Sequence, residues 1–463
     1  MTLHGIAMLH KERIHEATHG FAPAVRHSFS PIFKRMGFHE RFSMKECTFL
    51  FFLLWAMPAT SQLSLSLGER DDQPIYVFEN KYIRSEIAHT RGRSPLTYFD
   101  KISQVEQLRQ MEPLDKNHGK HYSHGGVSEC VPWTGGSPYM GYLWTQPWEM
   151  NVRTQEGRAE LVGDMTFPYP DPVTGKLCEL RFTKTMTAYE GSSRLKMDYR
   201  IENVGERRAR FQHCVHGSPC VGGSCDDGDY FFAPGERAWF VWSGLIPKYE
   251  IPDQSWFSWP LPEAVDFREG EEGGLQLFVP ARWGVMGDEK SGEVMAMVSS
   301  AVRIGEREIP VYMGHTKSGA NYYLEPSLTR HISNHNDRWE REGYSVDLDR
   351  GEVCEYTVDM AMFHGLAKKQ VVSLYRLTGD YFLLAESKLE IGGAAAEIDF
   401  GIGVSGDARL IVKDTASGDV LFERELVPGK VFQISEKISL PEKGEDIVVL
   451  LDNAAGEQVL VGD

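Results

Sequence analysis

Three short stretches carry side chains able to move protons. The first is Tyr322-Tyr323-Leu324-Glu325-Pro326, where one carboxylate follows an apolar triplet that reads as the end of a buried strand. Burial penalises the charged carboxylate and so tunes it toward a general base at neutral pH. The second is Phe211-Gln212-His213-Cys214-Val215-His216-Gly217-Ser218-Pro219-Cys220. Along a strand successive side chains point to opposite faces, so His213 and Val215 share one side and Cys214 and His216 the other. One imidazole of the two then looks into a cleft. The third is His121-Tyr122-Ser123-His124-Gly125-Gly126, followed by Trp133. Paired glycines let backbone approach a ligand closely, and His124 can donate to a sugar oxygen. Each stretch also has a purely structural reading: an exposed turn for His124, and for Glu325 a buried ion pair with Arg330 or Arg338.

Other chemistries find less support. There is no Gly-x-Ser-x-Gly elbow and no phosphate-binding glycine loop of the usual form. The carboxylates show no spacing diagnostic of a glycosidase pair. Cys220 and Cys225 lie near His216, but their spacing matches no common zinc pattern, and an exported chain favours bonding between the two cysteines. The cluster Arg330-His331, His335 and Arg338 is suited to an anionic or polar ligand. Ten tryptophans are present, and those dense from Trp133 to Trp259 offer flat rings for sugar faces, although most aromatics of a large sandwich belong to its core.

The elements that must position these groups are strands. From Gln73 onward the chain alternates short β-rich runs with turns: 74–78, 180–186, 195–201, 237–242, 275–279, 294–298 and 354–360 all read as strands. The best helix candidate, Val105 to Met111, is short. The pattern is that of an all-β chain built as a large antiparallel sandwich. Aromatics and histidines thin out near Gly365-Leu366-Ala367-Lys368-Lys369. Residues 371–463 contain no His, Cys or Trp and read as a small accessory β-domain.

The 463 residues carry a formal net charge of −17, which argues against nucleic-acid or anionic-membrane partners. The longest apolar run, Thr48 to Pro58, is too short to span a bilayer but has the form of a signal-peptide core. Met44-Lys45 gives it a charged start, and Ala59-Thr60-Ser61 a small-residue cleavage site before Gln62. Residues 44–61 are therefore read as a signal peptide, residues 1–43 as a disordered or mis-assigned leader, and the protein as secreted or periplasmic. Past Gln62 six cysteines remain, an even number that permits disulfides in an exported chain, with Cys220–Cys225 a small-loop candidate.

Taken in order, the three stretches resemble the galactose mutarotase (aldose 1-epimerase) superfamily over about residues 73–363. His124-Gly125-Gly126 resembles that family's Leu-His-Gly-Gly segment; Asn203 followed by His216 resembles its strand, turn and histidine element. Leu324-Glu325, the Leu348 to Glu352 turn and a last strand ending at Phe363 resemble its terminal glutamate segment. The resemblance implies a β-supersandwich over residues 70–366 and an isomerase acting on a sugar or glycan. Glu325 would take the proton from the anomeric hydroxyl, and His216 would protonate the ring oxygen, with no metal or organic cofactor required. His124 would hydrogen-bond the sugar near that oxygen; His213, Arg330 and Trp133 are the remaining candidate sugar contacts. The chain departs from the family after the histidine, where Gly217-Ser218-Pro219-Cys220 replaces aromatics, and after the glutamate, where Pro326-Ser327 stands. The family's Asn-Arg clamp is not visible in Leu108 to Lys120. Non-catalytic carbohydrate binding and a polysaccharide lyase, with Tyr323, His331 and Arg330 recruited, are the alternatives.

Overall fold

The structure is a computed structural model that describes residues 62–89, 94–110, 125–132, 143, 148–225, 228–243, 255–259, 274–318, 321–330, 343–366, 373–377, 379–384, 388–392, 395–415, 417–430, 432–439, 447–453 and 456–461. The expected signal segment lies outside these residues. No helix among them is long and apolar enough to cross a membrane.

Period-two patterning builds two large antiparallel sheets. In the first, strands Arg158–Pro170, Leu177–Tyr189 and Leu195–Asn203 alternate buried and open positions along their length, as strands covered on one face do. They continue through Val353–Phe363, Val294–Ser299, Trp283–Asp288 and Asp229–Phe232, with Glu149–Gln155 at the far edge. The second sheet runs in the order Trp256–Ser258, Arg237–Ser243, Gly274–Val279, Tyr312–Ser318, Asn321–Ser327, Cys214–Gly217, Val127–Cys130. One apolar core joins the two. Phe182, Met197 and Met297 from the first sheet share it with Val215, Leu277, Met313 and Leu324 from the second. An N-terminal meander of five strands, from Ser64–Arg70 to Val105–Glu106, adds Phe78, Ile83 and Tyr98 to the same core.

The segment expected as a helix from Val105 is extended instead. Val105–Glu106 pairs with Phe99–Asp100, and isolated bridges tie Leu108 to Pro219 and Gln110 to Gly125. Backbone partners on both sides outweigh a short run of helix formers. Met111 lies outside the described residues.

A polar seam crosses the core. Lys184 occupies an inward position among apolar neighbours, and its ammonium meets the Glu129 carboxylate, both fully buried. Tyr199 donates to Glu129 Oε1 (2.8 Å) and Ser94 to Oε2 (2.9 Å), so the buried charge is satisfied from several sides. Beside it lies His213, completely buried, its ring meeting the Tyr356 hydroxyl and packed against Tyr199 and Phe182.

The C-terminal strands build two further sheets, Ser373–Leu377 to Phe432–Ser439 and Val420–Leu426 to Gly456–Val461. They enclose a core of their own around Phe382, Ile402, Leu410 and Leu451. A second cluster joins Tyr381 and Leu383 to Val285, Ala361 and Phe363 of the first large sheet. Hydrogen bonds from Tyr381 to Asp359 (2.5 Å) and from Ser192 to Asp380 (2.6 Å) fasten the same junction.

Two predictions follow from buried and half-buried groups. Burial holds His213 at about 3, with Lys184 lowering it further, and holds His315 at about 4, against an ordinary 6.5. With a folded pKa below the unfolded one, the unfolded chain binds more protons between these values. Stability is therefore gained as pH rises toward 6.5 and lost as it falls. Glu106, pushed up to about 7 by burial, acts in the opposite sense. Replacing His213 by Gln should flatten the dependence of unfolding free energy on pH between 4 and 6.5, by up to about 1.4 kcal/mol per pH unit. Urea melts across that range would read it, and an unchanged slope would exclude His213 as the source.

Cys220 and Cys225 lie at either end of the short 3-10 turn Val221–Gly223, their sulfurs 2.9 Å apart and both half-buried. The Cys225 thiol donates to Cys220, which lowers the Cys220 thiol and raises that of Cys225. In a glutathione-disulfide buffer these two are expected to escape alkylation, with the chain lighter by two hydrogens, while Cys178 and Cys354 remain alkylatable after denaturation. Full labelling of Cys220 and Cys225 would contradict this.

Candidate active site on the outer sheet face

Register places the site. The strand Cys214–Gly217 lies between Val127–Cys130 and Asn321–Ser327, pairing Cys214 with Ser327 and Gly217 with Leu324. That register sets His216 across from Glu325 on the outer face of the second sheet, while Val215 and Leu324 face the core. His216 Nε2 stands 3.0 Å from Glu325 Oε1. The two residues expected to act as acid and base are thus in direct contact, with 8% and 2% of their surface exposed.

Glu325 sits within its strand rather than after it, since Asn321–Ser327 runs through Pro326. A carboxylate this buried must be hydrogen-bonded to hold a charge. The imidazole supplies one partner, and Thr316 Oγ1 donates to Oε2 at 3.4 Å from the neighbouring strand. The Tyr323 ring lies against His216, centroids 4.2 Å apart, and walls one side of the pair. Gly314 stands directly opposite Glu325. A Cβ there would meet the Phe278 ring at 2.3 Å and Glu325 Cβ at 3.0 Å, so a bare backbone is what lets both side chains lie over this strand.

Of the remaining expected contacts, His213 is not in the site. It stands three residues before His216, at an odd spacing that turns it through the sheet into the core, where Tyr356 and not a ligand meets its ring. His124 and Trp133 lie outside the described residues, as do His331 and Arg338. The two glycines after His124 are described: both take positive φ, at 70° and 68°. They lead into Val127–Cys130, the strand beside His216. Any side chain at Gly126 would strike the Pro95 carbonyl, 2.4 Å from the Cβ position.

Arg330 packs into an aromatic cluster of its own rather than onto the His216–Glu325 contact. Its guanidinium lies over Tyr344, Trp239 and Trp256, at 4.3, 4.9 and 5.6 Å from the ring centroids. These rings belong with Phe278 and Tyr312 to one aromatic cluster. Of the other tryptophans between Trp133 and Trp259, Trp148 and Trp259 are buried in the main core, their indoles donating to Leu143 and Ala233 carbonyls.

Thr316, Phe278 and Gly314 were not singled out by sequence reasoning. Tyr323 is two residues from Glu325, so strand alternation alone puts it on the same face; the other three arrive from different strands, and only the register brings them in.

A separate buried group, Asp100, Glu293 and His364, has ligand atoms within 4.8 Å of one another. His364 Nε2 contacts Asp100, whose carboxyl it lowers against the upward push of burial, and Gln107 donates to Glu293 (3.0 Å).

No protein-family model and no curated protein matches the sequence. Among solved structures, a galactose mutarotase-like protein from Clostridium acetobutylicum matches with a TM-score of 0.50 at 12% identity, covering 65% of this chain and 99% of its own. A galactose mutarotase-like protein from Lactobacillus casei (TM-score 0.41, 12% identity, 62% and 99% covered) and a galactose 1-epimerase from Lactobacillus acidophilus (0.41, 10%, 66% and 99%) are also similar. At such identity the likeness is one of fold, and the fold of this chain is the β-supersandwich of the galactose mutarotase-like proteins.

Proposed function

We propose that the protein interconverts the anomers of a sugar by acid-base catalysis at Glu325 and His216. The observation that carries this reading is the 3.0 Å contact between His216 Nε2 and Glu325 Oε1 on a sheet face. Opening a hemiacetal requires one proton to leave the anomeric hydroxyl and another to reach the ring oxygen. Both oxygens are bonded to the same carbon, so the groups serving them must be neighbours, each within hydrogen-bond reach of its own oxygen. A carboxylate and an imidazolium side by side meet that demand. Glu325 accepts the hydroxyl proton; His216 gives its Nε2 proton to the ring oxygen. The aldehyde turns about the bond beside its carbonyl carbon, and the same two transfers in reverse close the ring on the other face. The Tyr323 ring beside His216 supplies apolar surface for a sugar C–H face, and Phe278, packed behind Gly314, keeps water from the buried side of the pair.

Proton NMR of freshly dissolved α-glucose and α-galactose with the full chain would test this. Anomeric equilibrium should be reached faster than in buffer alone, and Glu325→Gln should remove the acceleration while leaving the thermal melt nearly unchanged. Acceleration that survives in Glu325→Gln would rule out the assignment. Saturable glycan binding without anomer exchange in either protein would favour a binding role for the same cleft.

We also propose that the protein is exported, from the apolar run Thr48 to Pro58 and the small residues before Gln62. N-terminal sequencing of protein expressed in a bacterial host should find Gln62 first in the exported fraction; a chain retained in the cytoplasm with residues 44–61 intact would count against it.

A further inference from the structure

The acid-base pair occupies one end of a straight row across the second sheet. Glu325 pairs with Gly314, Gly314 with Phe278, Phe278 with Trp239, and Trp239 with Trp256, so all five positions share the outer face. With strands about 4.8 Å apart, Trp239 lies about 14 Å and Trp256 about 19 Å from the Glu325 strand. That is too far to touch the sugar whose anomeric carbon sits at Glu325, but it is on the path of a chain extending from it.

What the far end offers is cationic. Arg237 is exposed, its guanidinium 4.1 Å over the Trp256 ring, and no carboxylate among the described residues pairs with it. Arg330 approaches the same ring from the cluster formed with Trp239 and Tyr344. Stacking on Trp256 fixes the plane of the Arg237 guanidinium and leaves its N–H edge to bond an oxyanion. The Trp239 indole N–H adds a second donor. Trp239 is 7% exposed, and its Nε1 has no hydrogen-bond acceptor among the described residues, an arrangement that costs free energy until an acceptor arrives. An exposed guanidinium and an orphan N–H, gathered on one face of a chain of net charge −17, are complementary to a negatively charged oxygen group held against flat rings.

We infer that the Trp239–Trp256 end of this face is a subsite for an acidic sugar unit, bearing a uronate carboxylate or a sulfate ester, in an oligosaccharide whose reducing end lies at Glu325 and His216. This placement of the reducing end rests on the anomer-exchange reading; the anionic subsite itself rests on Arg237 and Trp239.

The test is a glycan array of neutral, uronate-containing and sulfated oligosaccharides probed with the full chain, followed by calorimetry on the best acidic ligand and the neutral chain of the same linkage. The acidic chain should bind about tenfold tighter or more, the difference expected of a charge-assisted contact, and the preference should shrink as salt rises. Arg237→Ala, at an exposed position, should remove most of the preference by weakening the acidic ligand far more than the neutral one; Arg237→Lys should restore part of it, and Trp239→Phe should likewise narrow the gap between the two ligands. The array separates the two sources of charge, since uronate and sulfate are presented on different spots. Equal binding of acidic and neutral chains, a preference unaffected by Arg237→Ala, or no acidic glycan bound at all would each overturn the subsite. Glu325→Gln distinguishes this from the catalytic reading. Acid preference dependent on Arg237 without anomer exchange leaves the subsite standing and removes the enzyme, and anomer exchange of neutral sugars without acid preference does the reverse.

Discussion

Strand register is the constraint on which everything at this site depends. Side chains alternate faces, so a slip of one residue between Cys214–Gly217 and Asn321–Ser327 would send His216 into the core and bring Val215 to the outer face. The register is held because the core face of the same strands is apolar: Val215 and Leu324 are fully buried, and Met297 of the opposite sheet fills the space beside the side-chain-free Gly217. Apolar packing on one side of a four-residue strand thereby aims an imidazole on the other. The site is precise because its reverse face is dense.

The core is not purely apolar. The Lys184–Glu129 pair, with Tyr199, Ser94 and the adjacent His213–Tyr356 contact, sets hydrogen-bonding groups of both sheets against one another. Such a seam adds little net stability compared with well-packed aliphatics, and breaking half of it is costly. Its bonds run between the two sheets, so sliding one over the other would break them, and the position they hold carries the outer-face row from Glu325 to Trp256.

Much of the architecture was legible in the residues. Strands expected at 180–186, 195–201, 237–242, 275–279 and 354–360 lie within observed ones, which mostly run a few residues longer, because period-two burial leaves its mark on composition directly. Alternation also separated His213 from His216, though it could not say which of them faced the core; that choice belongs to the partner strands, whose side chains contact both. Val105 misled because local propensity is silent about backbone partners at Pro219 and Gly125, more than a dozen residues away in sequence. Arg330 was read beside Glu325 because the two are close in sequence, yet its stem carries the charge toward rings from distant strands. Lys184 and Glu129 gave no signal at all, since a charged residue at an inward position looks in sequence like a break in the pattern.

Pro326 acts as a mechanical element of the site. With no N–H to donate, it leaves the ladder between its strand and Cys214–Gly217 paired at Cys214–Ser327 and Gly217–Leu324, the two ends of the short strand. The stretch between these anchors, which bears His216 opposite Glu325, is therefore a span fixed at both ends and without a ladder pair at its middle on that side. A ring wedged between imidazole and carboxylate would load the span without breaking any rung of that ladder, and its departure would let the two side chains fall back into contact.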